Sequence, residues 1–559
     1  MCGIYGCLGK NAYNKVIDGL KMILYRGYDS CGIAYFDNGF KVCKTTGSLE
    51  NLQSLKTNVT IAFGHTRWAT NGIVSYENAH PHVSYDKKIT IVHNGVITNA
   101  EKIKESLLKQ NINFYSTTDT EIVANYVAKK CETNDIEKVL KDLYNILEGN
   151  FSMIVANNKG DLYLLKRFNP LNILTCDNEI YISSDLSSLQ NGKLYSLEDN
   201  DIIKLSNNEI ISLNGRKLEF IEHKNTYEVR ELDGYKHFME KEIFETPVAI
   251  RNTYYEIKDS EIIQIINNYS KITLTGCGTA YHACLIGEYL FRNELEKDVE
   301  TIIASNYIIK KSIKSDHLHI IVSQSGETAD CIKVAEQVKE FGGKLLVITN
   351  EKLSILSKIS DYQIFTNAER EVAIASTKTY SSQIFVLAYI CKKLKDSNYQ
   401  LEIDKFVKEL DTYIKKLNID EYAHALYNYD KMIMIAKDID YLTIYEACLK
   451  IRETDYIFTL PMYSGELKHG TLALIDKNAV VLALNTSKNK DLLNSTINSI
   501  KSREGNVIDI SKLVLEGVDD FYKPIFAIIP FQLISYKIAL LNNLNPDKPR
   551  NLAKSVTVE

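Results

Sequence analysis

Short apolar runs punctuate the first 225 or so positions. Examples are Ile61-Ala62-Phe63, Ile89-Thr90-Ile91-Val92, Phe151 to Ala156, Asp161 to Lys166 and Ile180 to Ser183. Runs this short, with polar residues between, predict strands rather than helices. A stretch with helical spacing begins at Ile122-Val123-Ala124. After Pro247 the texture changes. The apolar runs Ile272 to Thr275, Leu318 to Ser323 and Leu345 to Thr349, then Met432 to Ala436 and Val480 to Asn485, alternate with longer helical patterns. Strand–helix alternation predicts parallel sheets in an α/β fold. It occurs twice, around a helical stretch at about 380–425. The expected plan is therefore a mixed α+β domain over residues 2–225, a polar linker at 226–240, two α/β domains at 245–395 and 425–548, and a tail at 549–559.

Length agrees with that plan, since 559 residues at roughly 100–200 per domain suggest about three domains. Hydrophobic residues at 45% and charged residues at 25% are ordinary for a soluble globular protein. A net charge of −5 argues against nucleic acid as the main partner. The eleven cysteines show no framework spacing, which points to reduced thiols and a cytoplasmic location. No basic patch and apolar run opens the chain, so no signal peptide is expected. The most membrane-like segment, Ile525 to Leu541, contains Pro530, Gln532, Ser535 and Lys537. A buried helix is expected there, and no membrane partner.

Candidate chemistry begins at Cys2. Removal of Met1 would give one residue both a thiol and a free α-amine. An α-amine titrates at roughly 7.7–8.0, far below the ~10.4 of lysine, so part of it is neutral and able to take the thiol proton. Three further sets stand at strand ends or a helix start, where loops present functional groups. They are His65-Thr66-Arg67-Trp68-Ala69-Thr70, His93-Asn94-Gly95 and Thr117-Thr118-Asp119-Thr120-Glu121. Each has a plainer reading. Thr118 and Glu121 fit a capping box, Asn94-Gly95 fits a turn, and Trp68, the only tryptophan, fits a core.

Together these residues resemble the glutaminase domain of class II, N-terminal-nucleophile amidotransferases, a fold of αββα layers. The resemblance covers about residues 2–225. It implies that Cys2 attacks the glutamine amide, that Asn94 and the Gly95 N–H form the oxyanion hole, and that Arg67 and Asp119 hold the α-carboxylate and α-ammonium. Thr70 would line the pocket and Trp68 would shield it. Arg26-Gly27-Tyr28-Asp29-Ser30 matches a segment expected to pack under the nucleophile. Asn71 stands where the family often has His.

In the second half, Ser323-Gln324-Ser325-Gly326-Glu327-Thr328 follows one apolar run and precedes a helical one. Hydroxyls and glycine at a strand-to-helix junction suit an anion, held by backbone N–H groups and the helix dipole. Gly276-Cys277-Gly278-Thr279 ends an earlier run in the same way. Neither loop carries Lys or Arg, and no Walker-type loop is present. Glu446, Lys450 and Glu453 share one helix face by spacing, which by itself reads as a solvated salt-bridged surface.

These loops resemble the phosphosugar loops of sugar isomerase domains, and Ala373 to Lys378 matches a further sugar-contact segment. With Gly465 to Gly470 and the final residues Pro549 to Glu559, the resemblance extends to the glutamine–fructose-6-phosphate aminotransferase family over nearly the whole chain. It implies glutamine and fructose 6-phosphate as substrates, glucosamine 6-phosphate as product, and ammonia channelled past Trp68. Thr279, Ser323, Gln324, Ser325 and Thr328 would bind phosphate and Ser376 the sugar. His469, from the partner copy of a homodimer, would help open the ring. Lys554 would form a Schiff base and Glu453 would shuttle a proton, supported by Glu446 and Lys450. No metal and no cofactor is implied. Ala280 departs from the family's usual Ser. A relative acting on another phosphosugar or as a deglycase, another class II amidotransferase, and a non-enzymatic phosphosugar sensor are the competing readings.

Overall fold

The computed structural model describes the chain except residues 1, 53–57, 70–71, 207, 225–230, 296, 308–314, 488–490 and 557–559, and the side chain of residue 492. The expected glutamine-pocket residue Thr70 therefore lies outside the described residues, as does Asn71. The chain forms two compact units that divide after residue 230, with the last few residues split between them.

The first unit is built on two antiparallel sheets. One has eight strands, in the order Ile221–His223, Gly192–Ser196, Asn172–Cys176, Glu179–Ser183, Gly3–Leu8, Ile61–Arg67, Ser30–Phe36 and Phe40–Thr46. The other has six, in the order Glu209–Ser212, Ile202–Ser206, Leu162–Arg167, Gly149–Asn157, Ile89–Ile97 and His82–Val83. Period-two side-chain alternation explains the layers. Ile4 and Leu8 join Val92, Ile154 and Ala156 in the core between the sheets. Their strand neighbours Tyr5 and Cys7 face outward onto the helix Ala12–Met22 through Val16 and Leu20. Ile91, Met153 and Val155 face the helices Ala100–Leu108, Asp119–Cys131 and Ile136–Ile146. The result is the expected αββα layering. Both faces of the strands are covered, so the central strands are buried throughout rather than on alternate residues.

The second unit holds two parallel sheets. The first runs Asp298–Ile303, Lys271–Gly276, Leu318–Ser323, Lys344–Thr349, Tyr362–Phe365. In chain order this is 2-1-3-4-5. The second runs Phe458–Tyr463, Lys431–Ala436, Val480–Ala483, Asn506–Asp509, the same order without a fifth strand. The repeated order is the structural form of the strand–helix alternation read twice from the sequence. One continuous apolar cluster draws on both sheets and on the helices Lys378–Lys395, Asp438–Asp455 and Lys523–Leu541.

Lys523–Leu541 is long and apolar enough to cross a membrane by composition, yet 83% of its apolar window is buried within this unit. Pro530 lies inside it and has no N–H for the Phe526 carbonyl. The Tyr413 hydroxyl shares its proton between that carbonyl, at 2.9 Å, and the Leu513 carbonyl, at 3.0 Å, so the acceptor the proline leaves open has a partner.

Candidate functional sites

Cys2 immediately precedes the strand Gly3–Leu8, which pairs with Ile61–Arg67 so that Gly3 faces Thr66 and Ile4 faces His65. This register brings the His65–Trp68 segment alongside the nucleophile. The Trp68 N–H donates to the Cys2 sulfur at 3.4 Å, and the thiol lies 3.5 Å from the Trp68 carbonyl. Burial pushes the Cys2 thiol up, opposed by the Trp68 backbone and Arg67. Asp29 braces the same segment. Its carboxylate accepts from the Ala69 N–H at 2.8 Å, and its own N–H donates to the Arg67 carbonyl at 3.0 Å. Arg26 is buried against Asp185 at 2.7 Å. Of the segment matched around residues 26–30, Asp29 thus braces the strand end beside the nucleophile.

Arg67 is buried and points its two terminal nitrogens at the carbonyls of Gly72, 3.2 Å, and Ile73, 3.4 Å. Asn94 and Gly95 lie on the strand Ile89–Ile97, opposite Ser152 and Phe151. Gly95 has φ +123°, and a Cβ there would meet the Asn150 carbonyl oxygen at 2.0 Å, so only glycine fits. Asn169 Nδ2 holds the Asn94 carbonyl at 3.0 Å. Thr118 caps the helix Asp119–Cys131, accepting from the Glu121 N–H at 3.5 Å. The Asp119 carboxylate reaches beyond that helix and accepts from the Ile97 N–H at 2.9 Å.

A closed ring of hydrogen bonds ties these parts together, and its directions follow from donor and acceptor rules alone. The His93 carbonyl can only accept, so His65 Nε2 carries the proton at 3.0 Å. Burial holds the His65 ring neutral, with its pKa lowered to about 3. Its Nδ1 is then an acceptor for His80 Nδ1–H at 3.0 Å. His80, also kept neutral by burial, uses Nε2 to accept from the Thr120 hydroxyl at 2.8 Å. Thr120 in turn accepts from His93 Nδ1–H at 3.0 Å. The ring starts and ends at His93, the residue before Asn94. It joins the nucleophile's neighbouring strand to the strand that carries Asn94 and Gly95. His80 and Asn169 were not singled out from the sequence, and Thr120 stood out only as part of the Thr117–Glu121 segment.

In the second unit, the strand order places Lys271–Gly276 next to Leu318–Ser323, where the chain direction across the sheet reverses. Ligands of open α/β sheets sit outside the carboxyl ends of the strands at such a point. Gly276-Cys277-Gly278-Thr279 and Ser323 to Thr328 are the two segments that leave those ends. Gly326 turns with φ +61°, and its N–H donates to Ser323 Oγ at 3.1 Å. Ser323 and Thr328 hydroxyls lie 3.2 Å apart, and the Gln324 carbonyl is anchored by the Asn350 N–H at 3.1 Å. The Glu327 N–H donates to Ser325 Oγ at 3.2 Å.

Glu446, Lys450 and Glu453 do share a helix face, but it is not a solvated one. Glu446 and Lys450 are fully buried. Lys450 Nζ lies 3.3 Å from Glu446 and 2.8 Å from Glu453, and donates to Thr279 Oγ1 at 3.1 Å. Thr279 donates to Glu446 at 3.0 Å, so this hydroxyl belongs to the carboxylate cluster as much as to its own loop. His282, one turn further along the helix Thr279–Leu295, contacts Glu446 at 2.5 Å. Burial alone would raise the Glu446 carboxyl, but Lys450 and His282 hold it below its ordinary value.

Lys554 makes a second cluster. Its ammonium pairs with Glu371 and donates to the Ala373 carbonyl at 2.8 Å. Ser376 Oγ donates to Glu371 at 2.9 Å, and the Thr377 N–H does so at 2.8 Å. Burial opposes ionisation of Glu371, yet Lys554 and these donors hold its carboxyl down at about 2. Glu371 and His282 had no motif to mark them. His469 lies exposed on the turn Glu466–His469 and makes no hydrogen bond or ion pair among the described residues. Ala280 opens the helix that carries His282 and brings no hydroxyl there. Among the described residues no group of three or more His, Cys, Asp or Glu side chains is placed to hold a metal ion.

At the equivalent point of the second sheet, a protein carboxylate occupies the loop. Asp440 accepts from the Thr486 N–H at 2.6 Å and from its hydroxyl at 2.7 Å. Both Thr486 donors are thereby used by a carboxylate of the protein itself.

Comparison with known proteins agrees with this division. A family model described as a glutamine amidotransferase domain matches residues 65–191, and one described as a SIS domain matches residues 265–391. The glutamine–fructose-6-phosphate aminotransferase (isomerizing) of Caldanaerobacter subterraneus subsp. tengcongensis is 36% identical over 609 aligned positions, covering 100% of both chains. The protein of the same name from Pyrococcus horikoshii is 34% identical over 601, again covering 100% of both. Among solved structures, the C-terminal domain of glucosamine-fructose-6-phosphate aminotransferase from Francisella tularensis matches with a TM-score of 0.51 and 29% identity, covering 57% of this chain and 100% of that one. Identity at this level across the full length shows that the chain belongs to the glutamine–fructose-6-phosphate aminotransferase (isomerizing) family.

Proposed function

We propose that this protein hydrolyses glutamine in its first unit and uses the ammonia in its second to convert fructose 6-phosphate to glucosamine 6-phosphate. The observation that carries the reading is the pairing of two intact sites in one chain: a cysteine beside a glycine-dependent donor strand, and a carboxylate–lysine cluster beside a phosphate-type crevice.

In the first unit, Cys2 attacks the glutamine amide carbon after its proton passes to the free α-amine. The Asn94 side chain and Gly95 N–H take the developing oxyanion, and fixed donors suit that task because they need no reorganisation during the reaction. Arg67 and Asp119 hold the two ends of the amino acid. Thr70 lines the pocket, and Trp68 covers the nucleophile and directs ammonia onward.

In the second unit, Ser323, Gln324, Ser325 and Thr328, with Thr279, hold the sugar phosphate. Ser376 positions the sugar, and Lys554 forms a Schiff base with its open-chain carbonyl, whose oxygen leaves as water, before ammonia displaces the lysine at that carbon. Glu371 holds the Lys554 ammonium in place through their ion pair. Glu453 then moves a proton between adjacent carbons, a step suited to a carboxylate that returns what it accepts. Lys450 and Glu446 hold Glu453 in place. His469 acts from the second copy of a homodimer, a role supported by its exposure on this chain.

The test is direct. Purified protein is incubated with glutamine and fructose 6-phosphate, and the amino sugar is identified by mass spectrometry. Glucosamine 6-phosphate is expected. Turnover only with a different phosphosugar, or only in the deaminating direction, would overturn the substrate assignment and make Ala280 the first residue to examine.

A further inference from the structure

Both segments at the first crevice carry a cysteine. Cys277 sits between the two glycines of the Gly276–Thr279 loop, and Cys331 lies in the first turn of the helix Ala329–Glu340 that follows Thr328. Their sulfur atoms are 4.0 Å apart. All eleven cysteines are free, and no other two cysteine sulfurs are hydrogen-bonded to each other among the described residues. The two members differ in access. Cys331 is fully buried and Cys277 is partly exposed.

The surroundings of Cys277 favour a thiolate. The Cys331 thiol hydrogen-bonds to it at 4.0 Å, and the backbone of Ala304 and Ser305 adds to the lowering. These contacts hold the Cys277 thiol below its ordinary value against the effect of burial, while the same hydrogen bond and burial push Cys331 well above its own. A partly exposed, hydrogen-bonded thiol of lowered pKa beside a buried thiol of raised pKa is the arrangement of an attacking and a resolving cysteine.

We propose that Cys277 and Cys331 form a peroxide-oxidised disulfide that closes the sugar-phosphate crevice. The Cys277 thiolate attacks one oxygen of hydrogen peroxide, the O–O bond breaks and hydroxide leaves, giving a sulfenic acid. The Cys331 sulfur then attacks the Cys277 sulfur and the S–OH bond breaks. The hydroxide released takes the Cys331 proton as water. In sum, two thiols and one peroxide give one disulfide and two waters, both electrons coming from the sulfurs.

A disulfide needs its sulfurs about 2.05 Å apart. Roughly 2 Å of closure is therefore required, and the loop supplies it more readily than the helix. Gly278 has φ +53°, and no atom lies within 4 Å of where its Cβ would stand. Cys331, by contrast, is fixed in a regular helix. Oxidation thus draws the Cys277 loop toward the start of the 329–340 helix. Thr279, two residues on, moves with it and leaves Lys450 and Glu446. The crevice between the loops narrows where the phosphate is to bind. The effect on sugar binding rests on the substrate reading given above, whereas the bond itself does not.

The experiment uses the full chain carrying Cys2→Ala, which removes the other reactive thiol from the readout. The protein is pulsed with hydrogen peroxide, free thiols are alkylated, and peptides are mapped without reduction. Fructose 6-phosphate binding is measured by calorimetry before oxidation, after it, and after dithiothreitol. A linked Cys277–Cys331 peptide is expected. Affinity should fall by roughly tenfold or more, the scale of one lost charge-assisted hydrogen bond, and return on reduction. Cys331→Ala in the same background should give no linked peptide and no reversible loss. Absence of the linked peptide from peroxide-treated protein overturns the pairing. A linked peptide with unchanged affinity overturns the closure. If the unoxidised protein fails to bind fructose 6-phosphate, it is the substrate reading that fails, and the peptide map still decides the pairing.

Discussion

Thr120→Val tests whether the histidine ring holds the first site together. Thr120 is fully buried, and valine replaces its hydroxyl with a methyl of similar size, so packing is nearly conserved. Two groups lose their partner. His80 Nε2 loses its donor at 2.8 Å, and His93 Nδ1–H loses its acceptor at 3.0 Å. A buried polar group left unpaired costs about 1–3 kcal/mol, so the pair should cost about 2–6 kcal/mol. With a urea dependence of about 2 kcal/mol per molar, the unfolding midpoint should fall by about 1 M or more. Trp68, the only tryptophan, belongs to this unit, so its fluorescence reports the transition without interference from the second unit. Under native conditions the loosened His93–Asn94 segment should lower kcat for glutamine hydrolysis on the order of tenfold to a hundredfold, the scale of a misplaced reacting group. KM should change little, because the proposed glutamine-binding groups Arg67 and Asp119 lie outside the ring. Thr120→Ser keeps the hydroxyl and should restore both stability and kcat. A midpoint shift below ~0.5 M refutes the ring as a stabilising element. Equal damage by serine and valine refutes the hydroxyl as its cause.

Acid should destabilise the first unit steeply. Burial lowers the pKa of His65, His80, His82 and His93 in the folded state. Above about pH 6.5 these rings are neutral folded or unfolded, so they add no pH dependence there. Below it the unfolded chain takes up protons that the folded unit refuses. Each such ring should remove about 1.4 kcal/mol per pH unit, down to about pH 3 for His65. Trp68-monitored urea titrations that give equal stability at pH 7 and pH 5 would contradict this. Lys450→Met leaves Glu446 buried without its cation, and should lower the stability of the second unit by about 3–5 kcal/mol while glutamine hydrolysis persists. Calorimetry and a glutaminase assay check the two halves, and an unshifted second transition would show that the pair is not needed for stability. Glu453→Gln should keep glutaminase activity and stop amino sugar formation, since the amide cannot carry a proton. Unchanged glucosamine 6-phosphate output would remove Glu453 from proton transfer.

Much of this architecture was legible in the chain because it is written in local chemistry. Short apolar runs in the first half and strand–helix alternation in the second follow from side-chain periodicity, which is the same before and after folding. Gly326 could be read as a loop glycine because glycine tolerates positive φ, whereas Asn94-Gly95, which fits a turn by sequence, lies within the strand Ile89–Ile97. Cys2, the His65–Thr70 segment and the Ser323–Thr328 loop stood out for the same reason, each being contiguous. Spacing alone also placed Glu446, Lys450 and Glu453 on one face.

Burial of that face was decided elsewhere. By sequence it read as a solvated surface, and it became a buried cluster only when Thr279 and His282 closed over it from a segment about 165 positions earlier. Glu371 meets its ion-pair partner Lys554 from 183 positions away. The histidine ring draws on residues 65, 80, 93 and 120, and the Cys277–Cys331 contact spans 54 positions. No local pattern marks such partners, because the energy of an ion pair or hydrogen bond depends on distance and dielectric after folding. The sequence alone determined which groups were available. The tertiary structure decided which of them meet, and in how little water.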